Sequence, residues 1–182
     1  MTTQFAPNDA VRLRPMTEPE FSVYLGGLLP HYAADHVAAG TWTEAEALHE
    51  AEKQVRQLVP DGVKTKDHFI YTIVRRADET VVGTLWFARE NRGAGHVAFI
   101  YDIEIDEQYR RLGYASQAFR LLEDEARDLG LPQIELHVFG DNQAARAMYK
   151  KLGYGETHVM MAKTLVSGGE GGIRTLEGAQ TP

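Results

Sequence analysis

Cysteine is absent from the 182 residues, which removes disulfides, thiolate metal sites and any covalent cysteine intermediate together. Such a chain fits a reducing compartment. Long apolar runs are missing too. No stretch approaches the roughly 20 residues that cross a bilayer, and the first residues show no basic-then-apolar leader pattern, so a cytoplasmic chain without a membrane partner is expected. Positive charge is short as well: 19 Lys and Arg face 26 Asp and Glu, a formal charge of −7. With no long basic run, this argues against a general nucleic-acid partner, though it leaves room for a local basic pocket. The histidines form no HExxH and no other ligand spacing, so no metal is expected.

What is present is 43% hydrophobic residues in a chain of one-domain length, enough for one well-filled core. Residues 1–166 read as a single domain. The stretch 167–182, glycine-rich from Gly168 and poor in apolar residues, reads as a disordered tail.

Along the chain, Ala10 to Arg14 alternates apolar and basic before Pro15, the look of a first or edge strand. Thr17-x-x-Glu20 is a capping box behind which Phe21, Tyr24, Leu25 and Leu28 form an apolar stripe. That helix is predicted to end at Gly26-Gly27 or near Pro30. A second capping box, Thr43-x-x-Glu46, opens a helix carrying Leu48, Ala51, Val55 and Leu58, stopped by Pro60-Asp61-Gly62. The loop predicted between them, from His31 to Trp42, is rich in aromatic and imidazole groups; Tyr32 and Trp42 can cover the core as lids. Phe69 to Arg75 and Val81 to Phe87 form a hairpin, and Gly83 within it marks a bulge or a close backbone approach. Val97 to Ile105 follows as another strand.

The organising stretch comes next. Tyr101-Asp102-Ile103-Glu104-Ile105 runs through a polar turn into Arg110-Arg111-Leu112-Gly113-Tyr114-Ala115, the start of a helix predicted to reach Leu129. A strand that feeds a glycine turn into a helix N-terminus aims unpaired N–H groups and the positive end of the helix dipole at one point. That point favours a phosphate. Arg110 and Arg111 add charge, while Gly113 and Ala115 keep side chains clear of an approaching anion. Neither GxxxxGK[ST] nor GxGxxG is present. Downstream, Gln133 to Phe139 reads as a strand, Asp141 or Asn142 as a cap for the helix of Met148, Tyr149 and Leu152, and Thr157 to Leu165 as a last strand. Strand, helix, strand, helix implies a parallel crossover.

Arg110-x-x-Gly113-x-Ala115 after Ile103-x-Ile105 resembles the R/Q-x-x-G-x-G/A acyl-CoA signature of the GNAT superfamily of N-acetyltransferases. Leu136-x-Val138, Asn142, Ala145, Tyr149 and Gly153-Tyr154 resemble its next strand and helix. The likeness is clearest from about Phe69 to Leu165. It implies a mixed α/β fold: a twisted sheet, antiparallel at first, with a parallel central pair and helices on both faces. It also implies acetyl-CoA as co-substrate, held where the central strand and the strand Gln133 to Phe139 part. The pyrophosphate would lie on N–H groups from Arg111 to Ser116, Tyr114 and Ala115 among them, and the pantetheine along Ile103 and Ile105. The region around the first two helices would form the acceptor side, which makes pocket lining the other reading of His31 to Trp42. A homodimer is common among similar proteins, although no interface is legible here.

Direct transfer of an acetyl group to an amine needs a neutral amine, a stabilised oxyanion and a protonated leaving sulfur. Tyr149 is the candidate acid, because an ordinary phenol, with a pKa of about 10, holds its proton at neutral pH; a packed core tyrosine is the alternative. Asn142 can hydrogen-bond the carrier or simply cap its helix. For the base, Asp102 and Glu104 share one strand face while Ile103 and Ile105 share the other. Two carboxylates on an internal strand need partners or a task. Glu104 ranks first and Asp102 second, with Glu135 and His137 as further candidates, and pairing with an arginine as the structural alternative. The expected acceptor is a small-molecule amine, with a protein N-terminus or lysine, or acyl-CoA binding without turnover, as the other readings.

Overall fold

A computed structural model describes residues 9–93, 95–140, 142–161 and 163. The chain divides into two compact units, Met1–Gln143 and Ala144–Pro182.

The first unit is built on one five-stranded sheet in the order β1-β2-β3-β4-β5, comprising β1 (Val11–Pro15), β2 (His68–Arg75), β3 (Thr80–Asn91), β4 (His96–Ile105) and β5 (Ile134–Leu136). The first four pair antiparallel, and β4 pairs with β5 in parallel. Alternation along β2 explains how the sheet is covered. Ile70 joins Phe21, Val55 and Trp86 in a core cluster under α1 (Glu18–Ala38) and α2 (Ala47–Leu58). Tyr71, on the opposite face, hydrogen-bonds Glu125 of α3 (Tyr114–Asp128). The expected mixed α/β sheet with helices on both faces is therefore the observed one. Phe119 and Leu122 of α3 are fully buried, and burial of such side chains supplies most of the drive for docking a helix. Leu122→Ala is expected to cost about 2–5 kcal/mol, measured by urea denaturation.

Three element boundaries and one whole strand differ from expectation. α1 does not stop at Gly26-Gly27 or Pro30 but runs for 21 residues through all three, so His31 to Ala38 is helix rather than loop. An interior proline costs about 3 kcal/mol and each glycine about 1 relative to alanine. Packing on both sides of the interruption outweighs this: Phe21, Tyr24, Leu25 and Leu28 lie over the sheet-side core, and Ala33 packs with Ala47 and Ala51 of α2. His31 Nδ1 lies 3.0 Å from the carbonyl oxygen of Gly27, one turn back. At the second capping box the Thr43 N–H donates to Glu46 Oε1 at 3.1 Å, yet the regular helix begins only at Ala47.

The predicted strand Gln133 to Phe139 keeps its parallel ladder only over Ile134–Leu136, opposite Ala98 to Ile100. The reason lies in β4. Trp86 pairs with Asp102 and Phe87 with Ile100, leaving Tyr101 as an extra residue. Such a bulge bends its strand, and the parallel ladder ends at the residue before it.

α4, Gln143–Lys151, begins at the last residue of the first unit and otherwise belongs to the second; it closes at Gly153, whose φ of +92° suits glycine. Beyond it, Thr157 to Met161 and Lys163 form no strand, against expectation; Ala162, Thr164 and Leu165 lie outside the described residues, as do the predicted cap Asp141 and the tail 167–182. Val159, Met160 and Met161 are all exposed, and an alternating pattern makes a strand only where a neighbour satisfies its backbone groups.

Candidate active site

The end of β4 positions the site. The ladder to β3 puts Asp102 opposite Trp86 and Glu104 opposite Thr84 on the face covered by α1, and Ile103 opposite Leu85 and Ile105 opposite Gly83 on the face covered by α3. The bulge adds Tyr101 to the α1 face, where its ring stacks on Trp86 at 4.8 Å and its hydroxyl donates to Glu90 at 2.6 Å. Since the ladder to β5 stops at Ile100, β4 continues through Ile105 with no strand beside it on that edge among the described residues. An extended ligand can pair there as an added strand.

Past Ile105 a single 3-10 turn, Glu107–Tyr109, leads to Arg110 in extended conformation. Arg111 is left-handed at φ 62°, and Gly113 follows at φ 90°. Gly113 stands as the N-cap of α3 with no capping side chain, and the first helical bond runs from the Gln117 N–H to the Gly113 oxygen at 3.2 Å. The N–H groups of Tyr114, Ala115 and Ser116 therefore start the helix without an intrahelical acceptor, the arrangement that binds anions. The Tyr114 ring is buried and bonded to Arg75, so this residue offers backbone to a ligand and not its phenol. Arg110 folds back on β4: its Nε donates to the Ile105 oxygen at 2.8 Å and a terminal nitrogen to Glu104 Oε1 at 3.0 Å. That links strand end to turn. Arg111 remains exposed at the turn.

The two carboxylates of β4 stand in different surroundings. Glu104 is exposed, with half of its side-chain surface open, and pairs with Arg110. Asp102 is partly buried against α1, where the Tyr24 hydroxyl donates to its Oδ2 at 2.8 Å and the Thr84 hydroxyl to the same oxygen at 3.5 Å. Burial pushes the Asp102 carboxyl up to about 6; the hydroxyl of Tyr24 pulls the other way, Glu104 adds to the rise, and Thr84 and His31 oppose it. A carboxyl tuned toward neutrality is suited to taking a proton at physiological pH. Of the other candidates on this face, Glu135 is paired with Arg92 at 3.1 Å, and His137 meets the edge of Phe99 at 5.5 Å between centroids.

The segment His31 to Trp42 forms an aromatic cluster at the end of α1. His36 stacks on Trp42 at 3.9 Å, and both contact Tyr32, whose hydroxyl donates to Gln54 of α2 at 2.9 Å. Asn142 closes a turn through its N–H to the Phe139 oxygen at 3.1 Å. Tyr149 lies in the second unit, its carbonyl accepting from the N–H groups of Leu152 and Tyr154 and its ring 5.8 Å from that of Tyr154.

Sequence reasoning missed Tyr24, Thr84 and the bulge at Tyr101. Tyr24 was legible only as part of an apolar stripe, because its partner Asp102 is 78 residues away.

Residues 34–154 match the Acetyltransferase (GNAT) family. The chain is 38% identical over 155 residues to the uncharacterized N-acetyltransferase YycN of Bacillus subtilis strain 168, covering 85% of this chain and 99% of that one. It is 34% identical over 156 residues to a second uncharacterized N-acetyltransferase of that strain, YdgE, covering 86% of this chain and 99% of the relative. The crystal structure of YycN superposes with a TM-score of 0.80 over 86% of this chain and 99% of that one.

Proposed function

The chain belongs to the GNAT family of acetyltransferases, and from that premise and the site geometry we propose that it moves an acetyl group from acetyl-CoA directly to a primary amine of a small molecule. The observation that carries this reading is the pairing of two features on one strand: β4 bears the near-neutral carboxylate Asp102 and runs into the uncapped N-terminus of α3.

The α3 N–H groups and exposed Arg111 suit the diphosphate of the co-substrate, and the open edge of β4 past Ile100 suits its extended arm. Asp102, directly or through a water, accepts one proton from the acceptor ammonium. The freed nitrogen lone pair then attacks the thioester carbonyl, whose developing oxyanion is met by a backbone N–H of β4. As the C–S bond breaks, the sulfur takes a proton, for which the sequence offers the Tyr149 phenol as donor, and the new amide sheds its second N–H proton to solvent. Acid and base are separate groups, so neither has to titrate twice in one step. The sequence, with no long basic or strongly acidic docking run, favours a compact amine over a polymer as acceptor.

Calorimetric titration with acetyl-CoA tests the donor side. Micromolar binding is expected, lost by roughly 100-fold or more in Gly113→Glu, whose carboxylate meets the same N–H groups as the diphosphate. Gly113→Ala controls for the strain of a side chain at φ 90° and should retain most of the binding. No binding by the unaltered protein would overturn the proposal. A panel of amines followed by thiol release then identifies the acceptor, and Tyr149→Phe should slow turnover without weakening acetyl-CoA binding.

A further inference from the structure

We propose that Tyr24 of α1 is a positioning residue for the reaction: its hydroxyl fixes the Asp102 carboxylate through one oxygen and leaves the other to take the amine proton. This rests on the reading of Asp102 as the base.

The geometry is specific. Both hydroxyls that reach Asp102, those of Tyr24 and Thr84, donate to Oδ2, and no hydrogen bond among the described residues engages Oδ1. A carboxylate held by one oxygen keeps a fixed plane, so the lone pairs of the second oxygen point in a defined direction, which is what proton transfer requires of its base. The donor is itself secure. Burial, reinforced by the charge of Asp102, holds the Tyr24 phenol well above its ordinary range, so it remains a donor throughout the neutral region. Its ring is packed beside Phe21 at 6.2 Å within the core cluster of α1, which fixes the direction of the hydroxyl. The charged groups facing Asp102 are His31 from α1 and Glu104 from its own strand, the latter paired with Arg110; β3 contributes Thr84, which does not titrate.

A hydroxyl that donates to the ionised form also sets where the base titrates. The test is a carbon-13 NMR titration of the full chain labelled at the aspartate side-chain carboxyl, with the Asp102 resonance identified as the one missing from Asp102→Asn. In Tyr24→Phe its midpoint should move upward by about one pH unit, and in Thr84→Val by less. Where Tyr24→Phe does not fold, biosynthetic replacement of the eight tyrosines by 3-fluorotyrosine keeps the question open to measurement. The more acidic phenol donates more strongly, so the Asp102 midpoint should fall. With an amine from the panel, the acid limb of the acetylation rate should move with the resonance.

A tyrosine that only packs would change stability and leave the titration where it was. An Asp102 midpoint unmoved in folded Tyr24→Phe, or unmoved by the fluorinated phenols, overturns the inference while leaving Asp102 as base. An Asp102→Asn protein with full activity overturns the base itself, whatever the titration shows.

Discussion

Asp102→Asn is expected to lower the acetylation rate by roughly 10²- to 10³-fold while leaving acetyl-CoA binding within about twofold. The pH profile carries the argument. A base that titrates near 6 gives a rate that rises with pH through that value and then levels, because only the unprotonated carboxylate can accept the ammonium proton. Asparagine cannot titrate, so the acid limb near 6 should vanish together with the rate. Stability should move the opposite way. The folded carboxyl binds its proton more tightly than the unfolded one, whose pKa is about 3.9. The native state thus holds the extra proton between about 4 and 6, and stability falls as pH rises through that window, by about 3 kcal/mol at most. Above it the buried charge is a burden that asparagine, still able to accept from Tyr24 and Thr84, does not carry. At pH 7.5 the variant should melt at the same temperature or a few degrees higher. Loss of activity with retained or raised stability is the signature of a functional carboxylate. Glu104→Gln, at an exposed position paired with Arg110, should cost less than about tenfold in rate. The reverse ranking would make Glu104 the base, and an Asp102→Asn rate within about fivefold of normal would remove Asp102 from the chemistry.

How far the site could be read from sequence depends on the reach of each interaction. The strand-turn-helix joining β4 to α3 was legible because its parts are local: Ile103 and Ile105 alternate with Asp102 and Glu104 by strand geometry, and Gly113 supplies the positive φ that lets the chain swing into α3. The pairing of β4 with β5 was legible in kind, because strand, helix, strand leaves a parallel crossover as the common solution. Its length was not, since the bulge at Tyr101 carries no glycine and shows only in the register against β3. The continuation of α1 through Pro30 was hidden for a related reason: local propensity argues for a stop, and the packing of Ala33 on Ala47 and Ala51 that overrides it lies in another helix. The difference between the two carboxylates is likewise tertiary. Both sit on one face of one strand, but only α1 decides that Asp102 is covered and Glu104 open.

Gly83→Ala is expected to destabilise the protein by at least about 3 kcal/mol, far beyond the effect of any ordinary surface glycine. A Cβ at Gly83 would stand 2.1 Å from the carbonyl oxygen of Glu104 and 3.0 Å from the Cα of Ile105. Both are backbone atoms, so no rotamer change relieves the overlap, and β3 and β4 must separate or shift. Gly83 is paired on both sides, with Ile73 of β2 and Ile105 of β4, next to a register break at which Val82 is the extra residue. The strain would therefore fall on the end of β4 from Glu104 to Ile105, whose carbonyl anchors Arg110 and through it the turn into α3. Urea denaturation should show the lost stability. Calorimetry on whatever fraction folds should show acetyl-CoA affinity reduced at least about tenfold, since the N–H groups of α3 are placed by that turn. Gly27→Ala gives the contrast: nothing lies within 4 Å of its Cβ position, and inside α1 it should stabilise by about 0.5–1 kcal/mol. Equal stabilities for the two variants would mean that β3 and β4 part without cost at Gly83, and the close approach of these strands would then not be what holds the end of β4 in place.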